Sequence, residues 1–534
     1  MLLRPQWQYF LQLLLGASLT LAFAPFNHWW VVFVAIPAWL YLILTNSILS
    51  VESPTAQTSV SNTKTLQIGS FGLSRFKLTF AFSLGYFGVG LSWVHVSIAD
   101  FGGLPLVGSI GLMLLLCGYL ALFPATLVYL LDRFIKIDAW PIFLPLGWLI
   151  IEWLRARLLT GFPWLSIGYS QLHGPLVGYF PLIGEIGVSA LVVCICIMIA
   201  LGFLKKSFIP ATLLMLVIGI SSLVLNQTKW TETSGEIVSV SMIQGNIAQS
   251  LRWTPEQDLP TMRKYLDMSE AHWDSDIVIW PEAAIPQLEP IATEFLRMLD
   301  QIATESESAL ITGIVNYQFE SQKIYNNLLA LGFDQKDANT IPYRYMHNNR
   351  FAKHHLLPIG EFVPFENVLR DLAPIFDLPM SSFTRGDFKQ SNLTAKGYLL
   401  APAICFEIAF PSQIAANLYT NTAAIITVSN DAWFGNSHGP HQHLQIAQVR
   451  AKEFGLPVLR STNNGVTAFI DHHGIIMSSA PQFEDAVLSA DIQLTNGITP
   501  YREYGDLPIW LFFITLAVSS YISNRRLLTI KRTQ

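Results

Sequence analysis

The sequence predicts a polytopic α-helical membrane protein of about eight spans that carries a large extracytoplasmic α/β domain. Three observations predict it. Hydrophobic residues make up 51% of the chain and charged residues only 13%, about half the share usual in soluble domains. Apolar runs of about 20 residues, long enough to cross a bilayer, recur through the first part and once near the end. Between them lies a polar stretch, roughly 228–506, in which short apolar runs alternate with amphipathic ones. The expected division is a seven-span region over 1–227, a catalytic-type domain over 228–506, and a last span with a basic tail over 507–534.

The spans fall near 8–25, 29–49, 77–98, 104–131, 139–156, 185–204, 207–226 and 507–523. Arg4, Lys64, Arg75, Lys77, Arg133, Lys136, Lys205, Lys206 and the tail residues Arg525, Arg526, Lys531 and Arg532 all lie on one side if the spans alternate. The opposite loops "APFNHWW" and "ADFGGLP" carry no Lys or Arg. The positive-inside rule therefore places both termini in the cytoplasm and the polar domain outside it. Arg155 and Arg157 break the pattern, and either lipid headgroups or an ion pair with Glu152 accounts for them. "AFA" at 22–24 resembles a cleavage site, but Pro25 and further spans follow, so an uncleaved first helix is expected. The Ser- and Thr-rich stretch 50–74 reads as a flexible loop. A net charge of −5 gives no basic excess and excludes a nucleic-acid footprint.

In the polar domain, strand-like runs include "EIVSVSMIQ", "DIVIWPE", "ALITGIVNY", "NNLLALGF", "GYLLAPAICFE", "AAIITVSNDAW" and "AVLSADIQL". Helical patterns at 256–272, 291–304 and 443–454 separate some of them, the last stopped by Gly455 and Pro457. Uniformly apolar strands alternating with helices predict buried sheets in an α/β layered fold. Polar residues gather just after the strands: Glu282, Cys405 with Glu407, and Asn430 with Asp431. Layered folds build sites at such strand ends, so residues far apart in sequence meet there.

Of the four cysteines, Cys117, Cys194 and Cys196 sit in long apolar runs and read as small core side chains. Cys405 alone lies in the polar domain, so no disulfide framework arises. It is either structural or a nucleophile, and a nucleophile needs a base or a cation beside it. Glu282 offers the base and Lys353 a cation for an oxyanion. His438, His441 and His443 are spaced like metal ligands, but no carboxylate motif accompanies them and no metal is expected. Asn326, Asn430 and Asp431 suit either a turn or a site, and Arg460, Asn463 and Asn464 suit domain ordering.

The motifs "WPEAAIP" with Glu282, "KHHLLPIGE" with Lys353 and Glu361, and "AICFE" with Cys405 resemble the Glu-Lys-Cys pattern of the carbon–nitrogen hydrolase (nitrilase) superfamily. "TLAFAPFNHWW", "LTGFPWLSIGYSQ", "QGNIAQSLRW", "FDLPMSSFTRG", "SNDAWFGNSHGPHQHLQ" and "RSTNNGVTAFI" are similar to its membrane branch, the apolipoprotein N-acyltransferase family. The resemblance runs over nearly the whole chain. It implies a nitrilase-like α-β-β-α sandwich and transfer of an acyl chain from a membrane phospholipid, through a cysteine thioester, to the α-amine of diacylglyceryl-modified apolipoproteins. It implies Cys405 as nucleophile, Glu282 as base and Lys353 as oxyanion partner, with Glu361 orienting Lys353 and Glu407 supporting the site. It implies substrate contacts at Trp253, Asn326, Phe406, Trp433 and Phe434, with Trp164 either at a lipid entrance or an interface anchor. The residue after the cysteine is often Tyr in this family and here is Phe406, which keeps the ring and lacks the hydroxyl. No cofactor or metal is implied, the expected setting is the bacterial inner membrane with the domain in the periplasm, and a monomer is expected. The alternative is a membrane-tethered amidase or nitrilase-type hydrolase acting on a small soluble substrate.

Overall fold

The computed structural model describes residues 5–51, 64–100, 103–251, 254–332, 342–358, 360–362 and 382–533. The chain divides into two compact units. Met1–His95, Pro105–Thr228 and Tyr504–Gln534 form one, and Val96–Leu104 with Lys229–Glu503 form the other.

The first unit is helical. Among the described residues, four helices are long and apolar enough to cross a membrane: Leu106–Phe134, Ile137–Arg155, Val177–Lys205 and Ile209–Gln227. A fifth candidate is the pair Leu73–Gly90 and Val94–Asp100, bent by 55° at its break. Trp29–Thr45 and Leu507–Ser523 are shorter apolar helices, and the helix Pro5–Ser18 overlaps the expected first span but starts and ends before it. Close packing of Pro5–Ser18 on Lys64–Gly90 depends on glycine. A Cβ on Gly16 would stand 1.8 Å from the Phe82 carbonyl oxygen, and one on Gly85 would stand 2.1 Å from that of Leu13. Small residues allow such helix contacts because backbones can then touch.

Two expectations for this region change. The stretch 50–74 is not all loop: Lys64–Gly90 is one helix, so the helix begins inside the Ser- and Thr-rich segment. Leu66, Ile68, Phe71 and Leu73 continue an apolar pattern that the polar composition masks. Trp164 is neither an interface anchor nor an entrance residue. It is 1% exposed and packs against Trp93 and Phe162. Of the two readings of Arg155, the ion pair holds: it bonds Glu152 and also donates to the Trp164 carbonyl, with both charges buried. Arg157 is exposed and lies over the Trp153 ring at 4.4 Å. Cys194 and Cys196 sit in the helix Phe180–Lys205, their thiols 3.6 Å from backbone carbonyl oxygens.

The second unit contains thirteen strands among its described residues. They are β1 (Thr231–Gln244), β2 (Ile277–Ile279), β3 (Ile285–Leu288), β4 (Ala309–Gln318), β5 (Lys323–Gly332), β6 (Arg350–Ala352), β7 (Leu393–Ala395), β8 (Tyr398–Ile404), β9 (Thr422–Ser429), β10 (Val458–Thr462), β11 (Ala468–Ile470), β12 (Ile476–Ser479) and β13 (Ala486–Gly497). One sheet runs β13-β1-β2-β4-β5-β6 with β3 beside β4, and the other runs β12-β11-β10-β9-β8-β7. β1, β2 and β4 are mutually parallel, as are β8, β9 and β10.

Side-chain alternation builds the layers. Ile277 and Ile279 point into a core shared with Ile404, Ile426, Val428 and Phe469 of the other sheet. Val278 and Trp280, one residue out of phase, point instead at Tyr265, Leu296 and Leu299 of the helices Pro255–Ser269 and Thr293–Glu305. The helix Gly439–Phe454 packs on β10 and β11. Two sheets thus lie face to face with helices outside, the layered α-β-β-α arrangement expected from the sequence. Each core aliphatic side chain removed from water contributes about 1.5–3 kcal/mol. Each of the seven strand-like runs overlaps a strand, and three of them run on past its end into the site turns after β2, β8 and β9. The missed ones, β3, β6, β7, β10, β11 and β12, span three to five residues each, too short to show a period of their own. Gly455, at φ +64, ends its helix as expected.

Candidate active site

The site gathers at the C-terminal ends of β2, β6, β8 and β9. Glu282 lies in the turn after β2, and its turn needs room. A Cβ on Gly313 of β4 would stand 2.3 Å from the Ala283 nitrogen, so glycine there lets the turn lie against the strand. Lys353 follows β6 directly, and its N–H donates to the Asn326 carbonyl of β5 at 2.8 Å. Cys405 follows β8 and opens a short 3-10 turn, Cys405–Ala409. Its φ of +54 is a conformation that costs a non-glycine residue about 1–3 kcal/mol.

Glu282 is 7% exposed and Lys353 1% exposed, while Cys405 is half-buried. Lys353 Nζ lies 2.8 Å from Glu361 Oε1 and 3.5 Å from Glu282 Oε1. Asn326 Nδ2 bridges the same two carboxylates, donating to Glu282 Oε1 at 2.8 Å and to Glu361 Oε1 at 3.2 Å. The Asn430 N–H donates to Glu282 Oε2 at 3.1 Å. Asn430 is itself held by Gln249 and by Asn463.

Glu407 is fully buried and joins two segments. Its Oε1 accepts from the His354 N–H at 2.7 Å, the His355 N–H at 3.1 Å and Gln413 Nε2 at 2.7 Å. Its Oε2 accepts from the Ile404 N–H at 2.8 Å. The chain just after Lys353 is thereby tied to the chain just before Cys405.

The charges act on one another. Burial pulls the Lys353 ammonium down, but Glu361, Glu282 and Cys405 outweigh it and leave it well above its ordinary value. Lys353 is therefore a permanent cation. Burial pushes the Cys405 thiol up, Glu282, Asp431 and Glu361 add to that, and Lys353 opposes it without prevailing. Cys405 therefore rests as a thiol beside a carboxylate and an ammonium. The arrangement can pass a thiol proton to Glu282 as the sulfur attacks a carbonyl, and can place positive charge beside the oxyanion that forms.

The remaining sequence candidates divide. Asn326 joins the cluster, and Glu361 and Glu407 touch Lys353 and the segments that flank it. Phe406 is 5% exposed, its ring edge-on to Phe410 at 5.0 Å. Trp433 and Phe434 are partly exposed after β9, with the Trp433 carbonyl accepting from Ser97 Oγ at 2.6 Å. Trp253 lies outside the described residues. Sequence reasoning left Asn430 and Asp431 open and gave no site role to Asn463, His443 or Arg460, which with Asp431 are buried. Their signal was polar residues in or just after β9 and β10, neighbouring parallel strands, near a buried histidine of the helix Gly439–Phe454. No group of three His, Cys, Asp or Glu side chains is placed to hold a metal among the described residues.

Comparison with known proteins agrees with this architecture. The family model described as carbon-nitrogen hydrolase matches residues 239–502, and that for the apolipoprotein N-acyltransferase N-terminal domain matches residues 15–198. The apolipoprotein N-acyltransferase of Photobacterium profundum is 42% identical over 516 residues, covering 96% of this chain and 94% of that protein. That of Shewanella oneidensis is 42% identical over 522 residues, covering 97% and 96%. That of Pseudomonas aeruginosa is 37% identical over 519 residues, covering 95% and 94%.

Proposed function

The chain belongs to the apolipoprotein N-acyltransferase family, and from that premise we propose that it acylates apolipoproteins through a Glu282-Lys353-Cys405 triad. The acyl donor is a membrane phospholipid, and the acceptor is the α-amine of a diacylglyceryl-cysteine. What carries this reading is the convergence of Glu282, Lys353 and Glu361 on a cysteine at a strand end.

In the first step Cys405 Sγ attacks the phospholipid ester carbonyl while Glu282 takes the thiol proton. Lys353 and backbone N–H groups stabilise the tetrahedral oxyanion. Collapse forms the thioester, and the departing lysophospholipid oxygen takes the proton back from Glu282. In the second step the amine attacks the thioester, Glu282 accepts an amine proton, and the sulfur leaves and is reprotonated. Two easier steps replace one difficult one. Glu361 and Asn326 orient Lys353 and Glu282, and Glu407 positions the turn. Trp253, Phe406, Trp433 and Phe434 are the proposed contacts for the apolar substrates.

Two lipid-anchored substrates give a reason for an enzyme with so many apolar helices. The proposed arrangement has eight spans, seven in 1–227 and one after 507, with the domain of 228–506 in the periplasm. Both termini are then cytoplasmic, the membrane is the bacterial inner membrane, and the enzyme works as a monomer. The Lys and Arg bias of the loops supports this orientation.

The test supplies phospholipid and a diacylglyceryl-cysteine peptide and follows both by mass spectrometry. Lysophospholipid and N-acylated peptide should appear in matching amounts, and without peptide the thioester should persist. Rapid fatty-acid release with unmodified peptide would replace this reading with a tethered hydrolase.

A further inference from the structure

Behind Cys405 lies a buried polar chain that the chemistry above does not use. His443 stands on the helix Gly439–Phe454 and is fully buried, as is Arg460, with Asp431 only 1% exposed. His443 Nε2 lies 3.1 Å from the Cys405 carbonyl oxygen. A carbonyl oxygen only accepts, so Nε2 carries a proton. His443 Nδ1 lies 3.1 Å from Asp431 Oδ1 and 3.1 Å from Arg460 Nη2. Arg460 Nη2 also donates to Asp431 Oδ2 at 2.6 Å, and Ser429 Oγ donates to Asp431 Oδ1 at 2.7 Å. Space is made for that carboxylate by Gly465, where a Cβ would stand 2.3 Å from Asp431 Oδ2.

The proton positions follow. Burial and Arg460 push His443 below its ordinary value against the pull of Asp431, so the ring is neutral. Burial alone would raise Asp431, but Arg460 and His443 hold it down at about 2, so it stays ionised. The Cys405 carbonyl, which only accepts, thus keeps a proton on Nε2, while Nδ1 stands between the Arg460 donor and the Asp431 carboxylate, both at 3.1 Å.

We propose that His443 is a positioning residue that holds the Cys405 carbonyl and so fixes the Cys405–Phe406 peptide plane, aiming the Phe406 N–H for acylation. The inference rests on the reading of Cys405 as nucleophile. A trans peptide is planar, with its C=O and N–H pointing to opposite sides. A carbonyl held toward His443 therefore directs the Phe406 N–H away from it. The hold matters because Cys405, at φ +54, sits in a backbone conformation that relaxes unless its surroundings impose it.

The test compares two reactions of Cys405 in the full chain in detergent: thioester formation from phospholipid and alkylation by iodoacetamide. Alkylation displaces iodide and forms no tetrahedral oxyanion, so it does not depend on the aim of the Phe406 N–H. In His443→Phe, which keeps a flat ring but no donor, acylation should slow by about 10–100-fold, up to the scale of losing an oxyanion donor. Alkylation should stay near the wild-type rate. In His443→Gln, whose amide N–H can reach the carbonyl, most of the acylation rate should return. If the phenylalanine variant does not fold, His443→Met takes its place. A folded variant that acylates like wild type, loses both reactions equally, or is not rescued by glutamine overturns the proposal. A wild type that takes no acyl group at Cys405 sinks the nucleophile reading and this inference with it. Normal wild-type acylation with any of the other failures sinks the inference alone.

Discussion

Lys353 and Glu361 form a hydrogen-bonded ion pair at 2.8 Å, and the same ammonium stands 3.5 Å from Glu282. One cation thus serves two carboxylates beside one thiol. The nearer carboxylate, Glu361, fixes where the ammonium sits, and Glu282 faces it at the longer distance.

Removing either charge from the chemistry should cost rate and leave folding intact. Glu282→Gln and Lys353→Ala should each slow thioester formation by at least ~100-fold, the scale of losing a proton acceptor or an oxyanion partner. Glu361→Gln should cost less, about 10-fold, because it misplaces Lys353 without removing it. Single-turnover assays on variants with wild-type melting curves check this. Near-normal rates in folded Glu282 or Lys353 variants would refute their roles.

Cys405 should carry the acyl group. After exposure to phospholipid, intact-mass analysis should show one added chain that hydroxylamine releases, and Cys405→Ala should show none. An equal adduct on that variant would exclude the assignment.

The thiol should be slow to ionise. Burial and Glu282 hold it above its ordinary value of 9.0, so the alkylation rate should still be rising with pH at pH 9. Lys353→Ala takes away a cation that pulls the thiol down, so its alkylation should be slower at every pH below the plateau. A plateau near neutral pH in the wild type would contradict the resting thiol.

Glu407→Gln should loosen the nucleophile's turn. A glutamine has one acceptor oxygen where the carboxylate has two. If that oxygen keeps the three donors at Oε1, the Ile404 N–H beside Cys405 faces an NH2 group. An unpaired buried donor costs about 1–3 kcal/mol. Melting should fall by several degrees and acylation by about tenfold, with thermal scans and single-turnover kinetics as the measurements. A variant unchanged in both would remove Glu407 from the site.

The orientation proposal has its own check. A phosphatase reporter active only outside the cytoplasm should be active when fused near residue 300 and silent after Gln534. The reverse result would overturn the topology and the periplasmic setting together.

By itself the sequence determined the layered α/β fold, the long apolar helices before it and the family. Apolar runs set by bilayer thickness marked the helices Leu106–Phe134 and Val177–Lys205, because a span's length is a local property. The seven longest strand signals and the motifs around Glu282, Lys353 and Cys405 were legible for the same reason: each is a contiguous pattern. Tertiary structure decided what depends on contacts between distant segments. It put Trp164 in a core of aromatic rings, because burial is set by partners that no local period names. Pairing with neighbouring strands made β6, β7 and β11 out of three-residue stretches with no period of their own. It brought Asn326 between two carboxylates 44 and 35 residues away, and Glu407 between the chain after Lys353 and the chain before Cys405. Above all it turned Asp431, His443 and Arg460 into one buried chain behind the nucleophile. A polar side chain is driven to find a partner when it is buried, and the sequence alone does not say which polar residues the fold will bury together.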